Sequence, residues 1–283
     1  MANSNNMKTL YITDLDGTLL NGKAELSGYT VEALNRMITR GVDISVATAR
    51  TAATALPILK EVKFKVPLVL MNGVLIYDPV TEKYIKKEVI PVDIARRFIN
   101  SMHEAQQPGL MYTLCGEDMR TYFEPPVNDA LCAFIDERRL KYNKSFTQVS
   151  DFLSVTDDVI YFCFLDNRKN IESTYSLVNG VEGMRVAKSR NIYSEGQWFI
   201  EIFNDAASKR NATQFLRGYG GYGRVIGFGD DTPDISLFEA CDEGYAMENA
   251  IDELKMIATG VIGSNSGDSV VKWIEDDSDA ANW

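Results

Sequence analysis

The sequence predicts an α/β protein with a doubly wound, mostly parallel sheet, into which a second domain of α+β type is inserted. Short β-rich runs, TLYITD, VDISVAT and PLVLMNG, alternate with helical stretches near the start of the chain, and this βαβαβ order produces parallel strands. The rhythm then changes, and aromatic runs such as DVIYFCFLD mix with helices such as NIESTYSLVNG. From SKRNATQFLRGYG onward the βα order returns, with RVIGFGDD, GYAM and GVIG as strands. We therefore expect one sheet to form from both sides of the insertion.

The domain boundaries follow from these changes in rhythm. We expect residues 1–82 to form the first part of a core domain, residues 83–196 to form the inserted domain, and residues 197–283 to complete the core. A chain of 283 residues with 45% hydrophobic residues can bury a substantial core in two such domains. The acidic tail EDDSDAANW is predicted to be a frayed terminus without a role.

The charge and the cysteines restrict the partners and the compartment. A formal net charge of -11 without a basic run disfavours a nucleic-acid surface, so we expect no nucleic-acid partner. The opening residues carry neither a membrane span nor a secretory signal core, so we expect no membrane association. The four cysteines lie far apart without CxxC spacing, which fits a reduced, cytoplasmic location and disfavours zinc.

Polar side chains follow the predicted strands of the core, where ligands gather in a doubly wound sheet. Carboxylates that converge at one sheet edge repel one another unless a cation lies between them. Oxygen-only ligands favour Mg²⁺ over Ca²⁺ or Zn²⁺, because the single histidine, His103, lies in the insertion. The residues expected at this edge are Asp14 and Asp16 after the first strand, Thr48 and Arg50 after the second, Asn72 after the third, Asp230, Asp231 and Asp234 after the late strand, and Lys209 at the start of a helix.

Four segments in this order resemble the motifs of the haloacid dehalogenase superfamily: DLDGTLL, ATAR, SK ahead of a helix, and GFGDDTPD. The insertion after MNG and the late segments GYAMENA and SNSGD resemble the Cof-type sugar-phosphatase branch, which has a large α/β cap. The resemblance covers nearly the whole chain. It implies a Rossmann-like core with a cap, and a Mg²⁺-dependent phosphatase of small phosphorylated metabolites, above all hexose phosphates. We expect a monomer or a weak homodimer.

The resemblance also implies a role for each motif residue. Asp14 is the expected nucleophile, which forms an aspartyl-phosphate, and Asp16 is the expected general acid and base. The implied metal ligands are the side chains of Asp14 and Asp230 and the backbone carbonyl of Asp16, with Asp234 behind them or bound through water. Gly17 allows the turn that directs amides at phosphate. The implied phosphate and substrate ligands are Thr48, Ala49, Arg50 and Lys209.

The chain departs from the family pattern near three of the motifs. Ala49 stands where glycine is usual, although an alanine still offers its amide to phosphate. Pro233 stands where asparagine normally precedes the final aspartate, so one polar contact near the phosphate region is lost. Asp205 and Arg210 replace small glycines that are common near the lysine. These changes leave open a catalytically weak binding or regulatory member of the superfamily.

Other interpretations compete for the same segments. A phosphomutase of the superfamily would share all four motifs. DLDGTLLNGKAE also has the length of a twelve-residue Ca²⁺ loop, in which Asp14 is the first residue and Glu25 is the twelfth. The sixth position of that loop needs glycine, and here it is Leu19. GYGGYG matches a dinucleotide fingerprint in letters but follows a helix and precedes a strand, the reverse of the required order. His103 has no serine or cysteine elbow nearby, so a hydrolase triad has no support.

No motif marks the residues of the insertion that select the substrate. Several aromatic and polar residues are candidates for the substrate cleft, but each is an equally good core residue, and we favour the structural interpretation. A flavin or pyridoxal phosphate stays open as a substrate beside a hexose phosphate. The candidates are Tyr112, Tyr193, Glu195 and Trp198.

Overall fold

The computed structural model of the chain describes residues 7–191 and 194–280. It divides the chain into two compact units: unit 1 comprises Met1–Lys86 and Ser208–Trp283, and unit 2 comprises Lys87–Ala207. Among the described helices, none combines the length and the apolar character that a bilayer crossing requires.

The elements are numbered in chain order within the described residues. The strands are β1 (Thr9–Thr13), β2 (Asp43–Val46), β3 (Leu68–Leu70), β4 (Leu75–Asp78), β5 (Lys83–Lys87), β6 (Leu110–Cys115), β7 (Asp118–Phe123), β8 (Thr147–Gln148), β9 (Asp158–Asn167), β10 (Met184–Arg190), β11 (Gln197–Asn204), β12 (Arg224–Gly229), β13 (Glu243–Met247) and β14 (Gly260–Ile262). The helices are α1 (Gly28–Thr39), α2 (Ala52–Leu59), α3 (Val92–Glu104), α4 (Asp129–Tyr142), α5 (Arg168–Val178), α6 (Lys209–Gly220), α7 (Pro233–Phe238), α8 (Asp252–Ile257) and α9 (Ser269–Ala280). Short helical turns occupy Leu15–Leu19, Met71–Gly73, Phe152–Ser154 and Asn265–Gly267.

Unit 1 contains a parallel sheet with the strand order β14-β13-β12-β1-β2. The chain moves outward in one direction from β1 to β2 and in the other from β12 to β14, so the order reverses between β1 and β12. These two strands pair in register, with Thr13 opposite Phe228, and the β1 side chains Leu10 and Ile12 are fully buried. In doubly wound sheets the ligand crevice lies beyond the carboxyl ends of the strands at such a reversal. The residues that follow Thr13 and Gly229 therefore stand where a site is expected.

Within the described residues, the third strand of the predicted βαβαβ unit is linked to this sheet by a single isolated bridge. Ala47, just after β2, bridges to Val69 of β3. Otherwise β3 pairs antiparallel with β4 in a small sheet of order β3-β4-β5. The apolar run predicted the strand correctly, since Leu68, Val69 and Leu70 are buried. It carried no information about which neighbours the strand pairs with.

Serine caps begin two helices of unit 1. Ser27 Oγ accepts the Thr30 amide at 2.9 Å at the start of α1, and Ser208 Oγ accepts the Asn211 amide at 3.0 Å at the start of α6. A hydroxyl at this position satisfies an amide that has no partner within its own helix. The Ser208 cap therefore makes Lys209 the first residue of α6.

The acidic carboxyl-terminal segment is helical as far as Ala280, so the prediction of a frayed tail is wrong for its described part. Asp277 Oδ2 of α9 accepts hydrogen bonds from the Tyr11 hydroxyl at 2.7 Å and from Arg224 Nη1 at 2.8 Å. Ile274 is fully buried. The composition concealed an amphipathic helix whose Asp277 pairs with polar groups on β1 and β12.

Unit 2 is an α+β domain with the strand order β10-β11-β9-β6-β7-β8. The pairs are antiparallel except for the short parallel pair of β7 and β8. Its apolar core includes Phe98 of α3, Ile171 of α5 and Phe162 of β9, and the rings of Phe98 and Phe162 meet edge to face with 4.9 Å between their centroids. The predicted fold class, a parallel α/β sheet with an inserted α+β domain, is confirmed.

The boundaries between the units differ from the predicted ones. The structure places them after Lys86 and after Ala207, whereas the rhythm of the sequence placed them after residues 82 and 196. The second difference is larger because β11 pairs antiparallel with both β9 and β10, which makes it an inner strand of the unit 2 sheet. The residue pattern of a β-strand does not determine which of two sheets the strand joins.

Candidate active site

The turn after β1 brings its polar residues to the switch point of the sheet. The Asp14 amide continues the β1 ladder by donating to the Phe228 carbonyl at 2.9 Å. Gly17 has φ of +80°, and a Cβ atom there would lie 2.2 Å from Asp230 Oδ2, so only glycine fits this position. The Thr18 hydroxyl donates to Asp230 Oδ1 at 2.7 Å. The turn is thus packed directly on the Asp230 carboxylate, a contact that the sequence did not reveal.

Lys209 joins two of the predicted carboxylates. Its Nζ donates to Asp14 Oδ1 at 2.6 Å and to Asp234 Oδ1 at 2.7 Å, and its side chain is 3% exposed. A buried ammonium is tolerated when ionised partners surround it in this way. The helix cap described above fixes where this lysine stands.

Asp234 holds the loop after β12 as well as the lysine. Its Oδ2 accepts the amides of Asp230 at 2.9 Å and Asp231 at 3.2 Å. Pro233 occupies the first position of α7, where the amide that proline lacks would have no partner within the helix. The departure from the family pattern at residue 233 is therefore compatible with the local backbone. Asp234 therefore connects Lys209 with the loop after β12.

Burial and mutual repulsion shape the charges of this cluster. Burial, with the nearby Asp234 and Asp16 carboxylates, raises the pKa of Asp14, and Lys209 opposes that rise. Burial raises the pKa of Asp230 to about 9, with Asp14 and Asp234 adding to it. For Lys209, burial alone would lower the pKa, but the two carboxylates outweigh it and raise the pKa. One lysine is therefore not enough to neutralise the acidic side chains.

One carboxylate oxygen from each of Asp14, Asp230 and Asp234 lies within 4.8 Å of the other two. Such a set of hard oxygen donors suits Mg²⁺. The raised pKa values of Asp14 and Asp230 are what a missing positive charge would produce. The residues present therefore fit the cation that the sequence implied.

Asp16 and Arg50 form a bidentate ion pair that the sequence analysis missed. Arg50 Nε lies 2.6 Å from Asp16 Oδ2, and Arg50 Nη2 lies 2.6 Å from Asp16 Oδ1. The resemblance to the family implies instead that Arg50 binds phosphate or substrate. A signal was available, because β1 and β2 are neighbours and the residues after their ends must meet. This geometry fixes the orientation of the Asp16 carboxylate.

The other predicted phosphate ligands follow β2. The Thr48 amide donates to the Val69 carbonyl at 3.0 Å, and the Asn72 amide donates to the Thr48 carbonyl at 3.0 Å. Thr48 Oγ1 accepts the Arg50 amide at 3.1 Å. Ala49 lies between Thr48 and Arg50 in the sequence. The Ala47 amide donates to the Thr13 carbonyl, the last of β1, at 2.8 Å, and this contact brings the segment after β2 beside Asp14.

Comparison with known proteins decides the family. A family model described as haloacid dehalogenase-like hydrolase matches residues 11–274. The chain belongs to this family. The pyridoxal phosphate phosphatase YbhA of Escherichia coli strain K12 is 28% identical, with 92% of this chain and 95% of the relative covered. The 5-amino-6-(5-phospho-D-ribitylamino)uracil phosphatase YitU of Bacillus subtilis strain 168 is 21% identical, with 94% and 96% covered. A haloacid dehalogenase-like hydrolase from Bacteroides thetaiotaomicron shares the fold, with a TM-score of 0.77, 23% identity, and 95% of this chain and 98% of that chain covered.

These matches confirm the predicted superfamily with its Cof-type branch, and the predicted enzyme class, a phosphatase. The match runs through both units of this haloacid dehalogenase-like hydrolase. The roles of its individual residues stay predictions. Every predicted catalytic, phosphate and metal residue of the hydrolase lies in unit 1.

The candidates for substrate selection lie in unit 2 of the hydrolase. Tyr112 is buried and meets Tyr161 edge to face, with 5.8 Å between the ring centroids. The centroid of the Trp198 ring lies 5.5 Å from the guanidinium group of Arg168 and 5.1 Å from that of Arg190. Glu195 is exposed. Tyr193 lies outside the described residues, and the choice between a structural and a substrate role stays a prediction for all four.

His103 takes part in a second acidic group, with Glu124 and Asp151 of unit 2. The imidazole Nε2 lies 2.8 Å from Glu124 Oε2. Asp151 Oδ1 accepts the Leu153 amide at 2.7 Å. The histidine thus pairs with Glu124, and Asp151 binds a turn of the backbone, which agrees with a structural role for the histidine.

Proposed function

We propose that this hydrolase is a Mg²⁺-dependent phosphatase of small phosphorylated metabolites and that Asp14 is its nucleophile. The observation that carries the proposal is the bridge of Lys209 between Asp14 and Asp234 beside the Asp230 carboxylate. This arrangement holds a carboxylate oxygen at the edge of the sheet next to cationic and hydroxyl groups that suit a phosphoryl group.

The proposed reaction has two steps at phosphorus. An oxygen of Asp14 attacks the phosphorus atom in line, the bond to the leaving oxygen breaks, and Asp16 gives its proton to that oxygen. Asp16 then takes a proton from water, the water oxygen attacks the aspartyl-phosphate, and phosphate leaves Asp14 as a free carboxylate. Lys209 and the hydroxyl of Thr48 stabilise the phosphoryl oxygens in both steps.

Arg50 has to yield one or both Asp16 oxygens for this proton transfer. In the structure both oxygens accept from the guanidinium group, at 2.6 Å each. An approaching phosphate ester supplies anionic oxygens that compete for the same donors, and guanidinium groups bind phosphate in a bidentate manner. Arg50 is therefore proposed to exchange Asp16 for the substrate.

The proposed Mg²⁺ ligands are the carboxylates of Asp14 and Asp230 and the backbone carbonyl of Asp16, with Asp234 placed behind them by its contacts with Lys209. When bound, the cation supplies positive charge for the phosphoryl oxygens and keeps the neighbouring carboxylates ionised. Without it, the raised pKa of Asp14 leaves part of the nucleophile protonated near neutral pH.

The proposed substrate class is a small phosphate monoester. Hexose phosphates are the substrates that the sequence pattern favours, and the relatives YbhA and YitU are named for pyridoxal phosphate and for 5-amino-6-(5-phospho-D-ribitylamino)uracil. The cytoplasmic location, the monomer or weak homodimer, and the absence of nucleic-acid and membrane partners belong to the same proposal. The free cysteines, which include the exposed Cys115 and Cys132, are compatible with a reduced compartment.

The experiment is release of inorganic phosphate from a panel of hexose phosphates, pyridoxal phosphate, flavin mononucleotide and the ribitylaminouracil phosphate, with Mg²⁺ or with a chelator. We expect turnover that needs Mg²⁺ and is abolished by Asp14→Asn. Asp43→Asn is the matched control. Asp43 begins β2, the strand next to β1, and its carboxylate lies 3.1 Å from Lys8 Nζ, outside the proposed site. Phosphate that moves within the substrate without release would support a phosphomutase instead. Metal binding without turnover on any ester would support a silent regulatory member.

A further inference from the structure

We propose that Asn249 is a positioning residue, which holds the turn that carries Asp16 at a fixed separation from Asp230. Asn249 lies in the loop after β13, within the segment GYAMENA that resembles the family but received no role in the sequence analysis. The inference deepens the proposed phosphatase function and rests on it.

The Asn249 side chain is held at both ends of its amide. Its Nδ2 donates to the Gly17 carbonyl at 2.8 Å, and its Oδ1 accepts the Asn265 amide at 3.1 Å. A carbonyl only accepts and a backbone amide only donates, so the two partners fix the orientation of the side chain. Asn265 in turn donates from Nδ2 to the Leu20 carbonyl at 2.8 Å. The two asparagines therefore tie down the middle and the end of the turn after β1.

The same loop is tied to the second carboxylate segment. The Ile251 amide donates to the Asp230 carbonyl at 2.9 Å. Asn249 and Ile251 are two residues apart, so a very short piece of backbone connects Gly17 on one side with Asp230 on the other. The loop acts as a spacer between the two segments that supply the proposed metal ligands.

Gly17 is the position where such a spacer is needed. Its backbone has φ of +80° and its Cα packs against the Asp230 carboxylate. Glycine has the widest choice of backbone conformations, so without a donor to its carbonyl the peptide groups on either side are free to rotate. The Asp16 carbonyl, one residue earlier, is the backbone ligand proposed for Mg²⁺. Asp14, in contrast, is held by the β1 ladder and by Lys209.

This contrast predicts a selective effect of losing Asn249. The nucleophile keeps its place, while the Asp16 carbonyl loses its place; the Asp16 carboxylate is held separately by Arg50. Groups that orient a metal ligand typically contribute about 10–100-fold in metal affinity or activity. We expect Asn249→Ala and Asn249→Asp to lower kcat and Mg²⁺ affinity by about 10–100-fold with KM for the phosphate ester within about threefold.

Asn35 provides a matched control in the same unit. Its Nδ2 donates to the Glu61 carbonyl at 2.8 Å, and its Oδ1 accepts the Lys63 amide at 2.9 Å. Asn35→Ala and Asn35→Asp therefore remove the same kinds of hydrogen bond as the variants of Asn249, at a distance from the catalytic turn. We expect the controls to lower the melting temperature to a similar extent and to keep kcat within about twofold.

The experiment measures three quantities on the full chain: steady-state kinetics, Mg²⁺ binding by calorimetry without substrate, and hydrogen–deuterium exchange of the peptide that covers residues 15–20. Exchange in that peptide should be at least about tenfold faster in both Asn249 variants and unchanged in the Asn35 variants. Asn249→Asp retains the acceptor for Asn265 and keeps the test available if Asn249→Ala does not fold.

Unchanged exchange and Mg²⁺ affinity in the Asn249 variants would overturn the inference, as would equal losses of kcat in the Asn35 variants. Failure of the proposed function has a different signature. The wild-type chain would then release no phosphate from any ester, while exchange of the 15–20 peptide would still report whether Asn249 holds the turn.

Discussion

Replacing Asp230 with asparagine should stabilise the metal-free protein while it abolishes phosphatase activity. Burial and the neighbouring carboxylates of Asp14 and Asp234 raise the pKa of Asp230 to about 9. When the pKa of a carboxyl is higher in the folded chain than in the unfolded chain, the folded chain keeps a proton that the unfolded chain releases. The free energy of unfolding is therefore highest at low pH and falls as the pH rises toward the folded pKa. The substituted amide would retain an oxygen for the Thr18 hydroxyl without the charge.

The size of the effect follows from proton linkage. One proton held by the folded state but not by the unfolded state changes the free energy of unfolding by up to about 1.4 kcal/mol per pH unit. Between pH 5 and pH 8 the upper limit is therefore about 4 kcal/mol. Asp14 shares the proton with Asp230, so we expect at least about 1.5 kcal/mol, or roughly 3 °C in melting temperature, in favour of Asp230→Asn.

Thermal unfolding in a chelator, followed by calorimetry from pH 5 to pH 8, measures this difference. Asp231→Asn is the control. The Asp231 carboxylate is next to Asp230 in the sequence, but it accepts the Thr232 amide at 2.7 Å and lies outside the buried cluster. Saturating Mg²⁺ should stabilise the wild type, more at pH 8 than at pH 5, and should leave Asp230→Asn almost unchanged. A variant less stable than the wild type at pH 8, or a difference independent of pH, would show that Asp230 does not hold a proton in the metal-free folded protein.

Three further substitutions test the rest of the account. Gly17→Ala places a methyl group 2.2 Å from Asp230 Oδ2 and should cost at least about 1 kcal/mol with loss of activity; an unchanged melting temperature would contradict the fit of the turn. Arg50→Lys keeps the charge but not the bidentate contact, so in steady-state kinetics it should not restore the kcat lost in Arg50→Ala, and full restoration would count against a role for bidentate guanidinium contacts with Asp16 or the substrate. Phe162→Ala should cost about 3–5 kcal/mol in chemical denaturation, and a loss under about 1 kcal/mol would mean that this buried ring does not anchor the core of unit 2.

The sequence was most informative where topology dictates proximity. Asp14 and Asp230 are 216 positions apart, yet both follow a strand of one parallel sheet, and such strand ends share an edge. Their convergence could be predicted without knowing any contact. Lys209 was predicted at the start of the helix that returns the chain to the sheet, and the Ser208 cap in the structure explains why the helix begins there.

The rest depended on tertiary pairing that local patterns do not encode. The run that forms β11 has the same alternation whether it joins one sheet or another, and only its pairing with β9 and β10 assigns it to unit 2. The composition of the tail is typical of a solvated segment, and only the hydrogen bonds of Asp277 with Arg224 and Tyr11 show that it packs on the sheet. The ion pair of Arg50 with Asp16 depends on side-chain orientation as well as on the neighbouring strands.

The central claim is that Asp14 accepts the phosphoryl group. Borohydride reduces an acyl phosphate to an alcohol and so converts a phosphorylated aspartate to homoserine, which peptide mass spectrometry locates. With Mg²⁺ and a turned-over ester, the account predicts homoserine at position 14 and none in a sample without substrate. Homoserine at another position, or phosphate release by Asp14→Asn at the wild-type rate, would contradict it.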